Sequence, residues 1–185
     1  MHVIAGGEHK SGSMFRFIST GDHRLMRRAN NWYAPRWIRW WMLAATRAGD
    51  GWLWYGLGAV ILLFGGRERF SAAAAAGLAS IFSILAFQLL KRVTGRKRPC
   101  EIEPHCWATL LPPDQFSFPS GHTMTAFACA TTIAFFYPAT APAVFFFAFS
   151  IALSRIVLGM HFLSDVLAGA VVGALIGWVA CQPFV

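Results

Sequence analysis

Three polar clusters interrupt an apolar chain: Lys91-Arg92-Val93-Thr94-Gly95-Arg96-Lys97-Arg98-Pro99, then Pro119-Ser120-Gly121-His122, then Ser154-Arg155 followed by His161 and Asp165. Lys91, Arg98 and Arg155 are fixed cations suited to phosphate oxygens, and an arginine offers a two-pronged fork. Ser120 stands where a helix N-cap is expected, so the N–H groups of Gly121 and His122 would face an anion. His161 and Asp165 are spaced i, i+4 and share a face on a helix. A carboxylate there can hold one ring nitrogen of His161 and leave the other free to attack. His122 is then available as an acid for the departing oxygen. Gly159-Met160 is a natural break, so Arg155 is expected to end one helix and His161 to begin the next.

Each cluster alone has an ordinary explanation. Basic residues after an apolar stretch anchor at the interface, Pro-Ser-Gly makes a capped turn, and a histidine at a membrane edge is often only solvated. Their placement argues for more. The chain is read as crossing the membrane twice between His122 and Arg155, which brings all three clusters to one face. Ionisable residues at a membrane edge are costly and are functional candidates by default.

The elements that must position them are helices in a bilayer. A spanning helix needs about 20 mostly apolar residues. Stretches 51–66, 70–90, 122–137, 141–153 and 166–185 are read as spans. Stretch 31–49 carries Trp32, Trp37, Trp40 and Trp41 but also Arg36, Arg39 and Arg47. It reads either as a helix lying in the interface plane or as a span with snorkelling ends, and the span is preferred. The expected fold is an all-α, integral membrane bundle of six transmembrane helices. The alanines at 72–76 are expected on a closely packed face, and the phenylalanines at 145–147 are expected to face lipid or fill the core.

Composition agrees. Of 185 residues, 56% are hydrophobic and 13% charged, against about 25% charged in a soluble domain. Mean hydropathy is +0.50. A disordered chain or a soluble charged scaffold is excluded. Sixteen Lys and Arg against eight Asp and Glu leave a net charge of +8. That surplus fits anionic headgroups or phosphates; a nucleic-acid partner is not expected, because too few residues are polar enough to face water. Basic residues at 1–48, with Arg67 and Arg69, point to the cytoplasm by the positive-inside rule. With six spans, loop 91–118 falls outside, and its basic residues break the rule unless they serve a phosphate. Residues 1–30 are read as a basic amphipathic cytoplasmic segment without the apolar core of a signal peptide, and 31–185 as one membrane domain.

Cys129 and Cys181 lie in apolar stretches and are read as buried small hydrophobes. Cys100 and Cys106 share loop 91–118. A disulfide ranks first for them, free thiols second, and a metal site with His105 third.

The three clusters resemble the signature of the type 2 phosphatidic acid phosphatase superfamily: K-x6-R-P at Lys91 and Arg98-Pro99, P-S-G-H at 119–122, and S-R-x5-H-x3-D at Ser154-Arg155, His161 and Asp165. Order and spacing both match, and the resemblance covers roughly 50–185. It implies a six-helix fold with the site at the outer leaflet; the compact size is read as bacterial, which makes the expected place an inner membrane with the site facing the periplasm. It implies phosphate binding by Lys91, Arg98, Ser120, Gly121 and Arg155. It implies His161 as the nucleophile of a phosphohistidine intermediate, Asp165 as its assistant, and His122 as general acid. No metal or cofactor is implied. The implied partner is a lipid phosphate in the bilayer, such as phosphatidic acid or phosphatidylglycerol phosphate. Undecaprenyl pyrophosphate, lipid A and a phosphotransferase reaction are alternatives, and a silent lipid-binding or transport protein is the non-enzymatic one. Arg92, Arg96 and Lys97 are outside the signature.

Overall fold

The computed structural model describes residues 11–102 and 115–185. The described residues form helices α1 (Ser11–Asn30), α2 (Arg36–Arg47), α3 (Leu53–Phe64), α4 (Arg69–Thr94), α5 (Pro99–Ile102), α6 (Gly121–Phe136), α7 (Ala141–Val157) and α8 (Leu163–Cys181). An isolated antiparallel bridge pairs Lys97 with Phe116.

Helix α6 is the axis, packed against α4, α7 and α8. Thr123, Met124, Phe127, Ala130 and Thr132 are all buried on it, although they point in different directions around the helix. A helix covered on all sides must be the centre of a bundle. Its neighbours turn small residues inward. Ala72, Ala75, Ala79 and Ser83 of α4 are buried, as are Gly169, Gly173 and Gly177 of α8. A Cβ at those three glycines would collide with the carbonyl oxygens of Ser120, Met124 and Ala128. The outer faces carry large apolar side chains: Ile81, Phe82, Leu85 and Leu89 on α4, Leu167, Val171, Leu175 and Trp178 on α8. Small inside and large outside is the pattern of helices whose solvent is lipid.

The expectation of six transmembrane helices does not hold. Among the described residues, three helical segments are long and apolar enough to cross a membrane: Gly66–Thr94, Pro138–Val157 and Leu163–Phe184. Helix α3 has 12 residues and α6 has 16, which at 1.5 Å per residue is about 18 and 24 Å, against a hydrocarbon core of about 30 Å. The wide turn Ala48–Trp52, with Gly51 at φ +113°, delays the start of α3, and Pro138 follows the end of α6. Stretch 31–49 is not a span either. Its helix α2 has 12 residues, Trp37 and Trp40 are exposed, and Met42 packs beside Val157, Leu158 and Met160.

The bundle has two distinguishable ends. At one, Asp50 meets His122; at the other, the Tyr137 hydroxyl donates to the Gly65 carbonyl at 3.0 Å. Helix α1 belongs to the first end, because Asp22 accepts from the Ser164 N–H at 3.1 Å and from Arg96 at 2.7 Å. Helix α1 and the polar clusters are thus joined at one end of the bundle.

Candidate active site

His161 sits where α7 gives way to α8. Gly159 takes φ +67°, a left-handed turn that glycine adopts without strain. The Met160 and His161 N–H groups then both reach the Arg155 carbonyl at 3.0 Å. His161 is in this connection and α8 begins at Leu163, so the expected helical pairing of His161 with Asp165 takes another form. His161 Nδ1 lies 2.7 Å from the Ser117 carbonyl and 3.6 Å from Asp165 Oδ2. A carbonyl only accepts, so Nδ1 carries the proton and Nε2 keeps its lone pair. Arg98 Nη1 stands 3.2 Å from that Nε2. Burial, then Arg155, Arg98 and Lys91, push the imidazole well below its ordinary range.

Asp165 does less to the ring and more to its frame. Its Oδ2 accepts the Phe162 N–H at 2.8 Å, a first-turn carboxylate reaching back to cap α8. Its Oδ1 accepts from Arg96 Nη1 at 2.7 Å. Ser117 is delivered by a short pairing: its N–H donates to the Arg96 carbonyl at 2.8 Å and its hydroxyl to the Lys97 carbonyl at 3.1 Å.

Ser120 occupies the N-cap position of α6, yet its hydroxyl pairs with that of Thr123 at 2.9 Å instead of capping the backbone. Its N–H donates to the Asp165 carbonyl at 3.0 Å and ties this turn to α8. Gly121 opens α6 close to Phe87, whose ring would lie 3.1 Å from any Cβ there. His122 Nε2 is 2.8 Å from Asp50 Oδ1.

The three cations arrive on helix ends. Lys91 is in the last turn of α4, with Nζ 5.2 Å from the Phe87 ring centroid. Gly95, at φ +58°, ends that helix. Arg98 is fully buried and donates to the Met160 carbonyl at 2.9 Å. Arg155 ends α7 and donates from Nη1 to the Thr46 hydroxyl.

A cavity of about 330 Å³ joins these groups. Lys91, Arg98, Gly121, His122 and His161 line it, with Asp50 beside them and Trp54, Ile84 and Phe87 on an apolar wall. Ser120, Arg155 and Asp165 are not on its lining. Ser117, Thr46 and Asp50 were not among the expected residues. Asp50 left a trace, as a lone carboxylate between glycines where two apolar stretches meet. Of the basic residues outside the signature, Arg92 and Lys97 are exposed, while Arg96 bridges Asp22 and Asp165. Cys106 lies outside the described residues, and the expected disulfide with it. Among the described residues, no three His, Cys, Asp or Glu side chains gather into a metal-binding group.

Cations and two imidazoles around one cavity in a helical membrane bundle make a site suited to a phosphate group. The PAP2 superfamily model matches residues 72–184, and the chain belongs to that family. A lipid A 1-phosphatase of Porphyromonas gingivalis is 48% identical over 65 residues, 33% of this chain and 15% of that protein. The chain thus spans a small part of that relative's length. The decaprenylphosphoryl-5-phosphoribose phosphatase of Mycobacterium tuberculosis is 36% identical over 128 residues, 69% of this chain and 68% of the relative. In fold, the chain is similar to the crystal structure of a transmembrane PAP2-type phosphatidylglycerolphosphate phosphatase from Bacillus subtilis. The TM-score is 0.71 at 24% identity, covering 96% of each chain.

Proposed function

We propose that the chain hydrolyses a phosphomonoester of a membrane lipid through a phosphohistidine at His161. One observation carries this reading: the lone pair of His161 Nε2 sits beside Arg98 on a cavity that Lys91 and His122 also line. The phosphoryl oxygens meet Lys91, Arg98 and the first N–H groups of α6, with Arg155 adding positive charge from behind. These groups act most strongly as negative charge spreads in the transition state. Nε2 forms a bond to phosphorus as the P–O ester bond breaks. The electron pair of that bond stays on the leaving oxygen, which takes a proton from His122 and departs as the lipid alcohol. Water then gives a proton to His122, its oxygen attacks phosphorus, and the N–P bond breaks to release phosphate.

The apolar wall at Trp54, Ile84 and Phe87 supports a substrate that keeps its tails in the bilayer. The relatives support the same class: their names specify a lipid A phosphate, a lipid-linked phosphosugar and a glycerolipid phosphate. Phosphate release from a panel of those lipids, with phosphatidic acid and undecaprenyl pyrophosphate added, identifies the substrate. A folded His161→Ala variant serves as the blank and is expected to be inactive. Substantial activity in that variant would falsify the nucleophile assignment.

A further inference from the structure

We propose that Asp50 is a positioning residue for proton donation, holding His122 in the orientation in which it protonates the leaving oxygen. This rests on the reading of His122 as the acid. The contact is a hydrogen bond: Asp50 Oδ1 stands 2.8 Å from His122 Nε2. Asp50 comes from the wide turn Ala48–Trp52, outside the matched residues 72–184, so the carboxylate is brought to the site by a separate part of the chain. That turn is seated against the ring. A Cβ at Gly49 would come within 3.0 Å of His122 Cδ2 and 2.9 Å of Ile151, so only a glycine lets the backbone approach this closely.

The chemistry follows from which edge is covered. Gly49 and Asp50 occupy the Cδ2–Nε2 edge, and Nε2–H donates to the carboxylate. Nδ1 is left as the nitrogen for the substrate. Burial and then Arg155 push the His122 imidazole down to about 4, and Lys91 acts in the same direction. The carboxylate in contact opposes that shift in part, without reversing it. In the first step, the Nδ1 proton passes to the leaving oxygen while Nε2–H stays on Asp50. In the second, water returns a proton to Nδ1.

General-acid help matters most when the leaving group is poor. The test compares kcat/KM, which covers the steps through P–O cleavage, for two phosphomonoesters on the full chain in detergent. One is a short-chain alkyl phosphate, the other p-nitrophenyl phosphate, whose leaving group needs little protonation. Asp50→Asn is expected to lose roughly tenfold or more on the alkyl ester beyond any loss on the aryl ester, and Asp50→Glu to recover most of it. The ratio between substrates does not depend on how much protein folds; should Asp50→Asn yield no folded protein, Asp50→Ser reads the same ratio. Equal losses on both substrates, or none, overturn the proposal. His122→Gln separates the two readings. A selective loss there with none for Asp50→Asn removes Asp50 alone, and an unselective loss removes His122 as the acid and the proposal with it.

Discussion

Burial acts first on His161, and Arg155, Arg98 and Lys91 act in the same direction, so its imidazole is neutral well below pH 6.5. Protonation of the nucleophile is what would stop the reaction on the acid side. The acid limb of kcat/KM, corrected for ionisation of the substrate's phosphate, is therefore expected well below pH 6.5. A limb at or above that value would mean the nucleophile is not this buried group. At this scale the sequence was readable in part: Lys91 and Arg98 line one cavity, whereas the helical spacing of His161 and Asp165 is not kept, because His161 lies before α8. What it hid was the nature of the contacts. The group that sets the His161 tautomer is the backbone carbonyl of Ser117, and no residue type announces a carbonyl. The His122–Asp50 and Arg155–Thr46 contacts join residues 72 and 109 positions apart, which only the fold brings together.

Helix α1 is fastened to the site by one carboxylate. Asp22 is buried and accepts from the Ser164 N–H, the Ser164 hydroxyl and Arg96, and Arg96 in turn pairs with Asp165. Removing one partner of such a network leaves the others under-satisfied, at a cost of about 3 kcal/mol. Asp22→Ala is expected to lower the unfolding midpoint in detergent and to make α1 the first segment cut by protease. Unchanged cleavage would show that α1 is held by other contacts. Stretches 70–90, 122–137, 141–153 and 166–185 foretold α4, α6, α7 and α8 within a few residues, because apolar length is written directly in composition. Whether a stretch crosses was less legible. Stretch 31–49 is apolar enough to suggest a span, and only the structure shows that it holds a 12-residue helix whose Met42 packs beside Val157 and Met160 at the site end.

That difference bears on the orientation expected for the whole molecule. With 31–49 counted as a crossing, the N-terminal segment and the site fall on opposite faces; without it, they share one. Arg24, Arg27, Arg28, Arg36, Arg39 and Arg47 lie on α1 and α2 at the site end, while Arg67 and Arg69 lie at the other. Applied to this arrangement, the positive-inside rule predicts a site end that faces the cytoplasm. In a cysteine-free background, a cysteine at position 36 is expected to resist an impermeant maleimide in intact cells, and one at 67 to react with it. The reverse labelling would place the site outside. A last consequence concerns how a lipid gets in. The glycine stripe of α8 lets it lie directly on the carbonyls of α6, and the Ser120 N–H to Asp165 carbonyl bond pins the two at the top. Neither helix has room to slide, so the Ser120–His122 turn and the His161–Asp165 turn form a single fixed jaw. Any widening of the mouth for a headgroup then falls to the opposing jaw, the Ala48–Trp52 turn with α3.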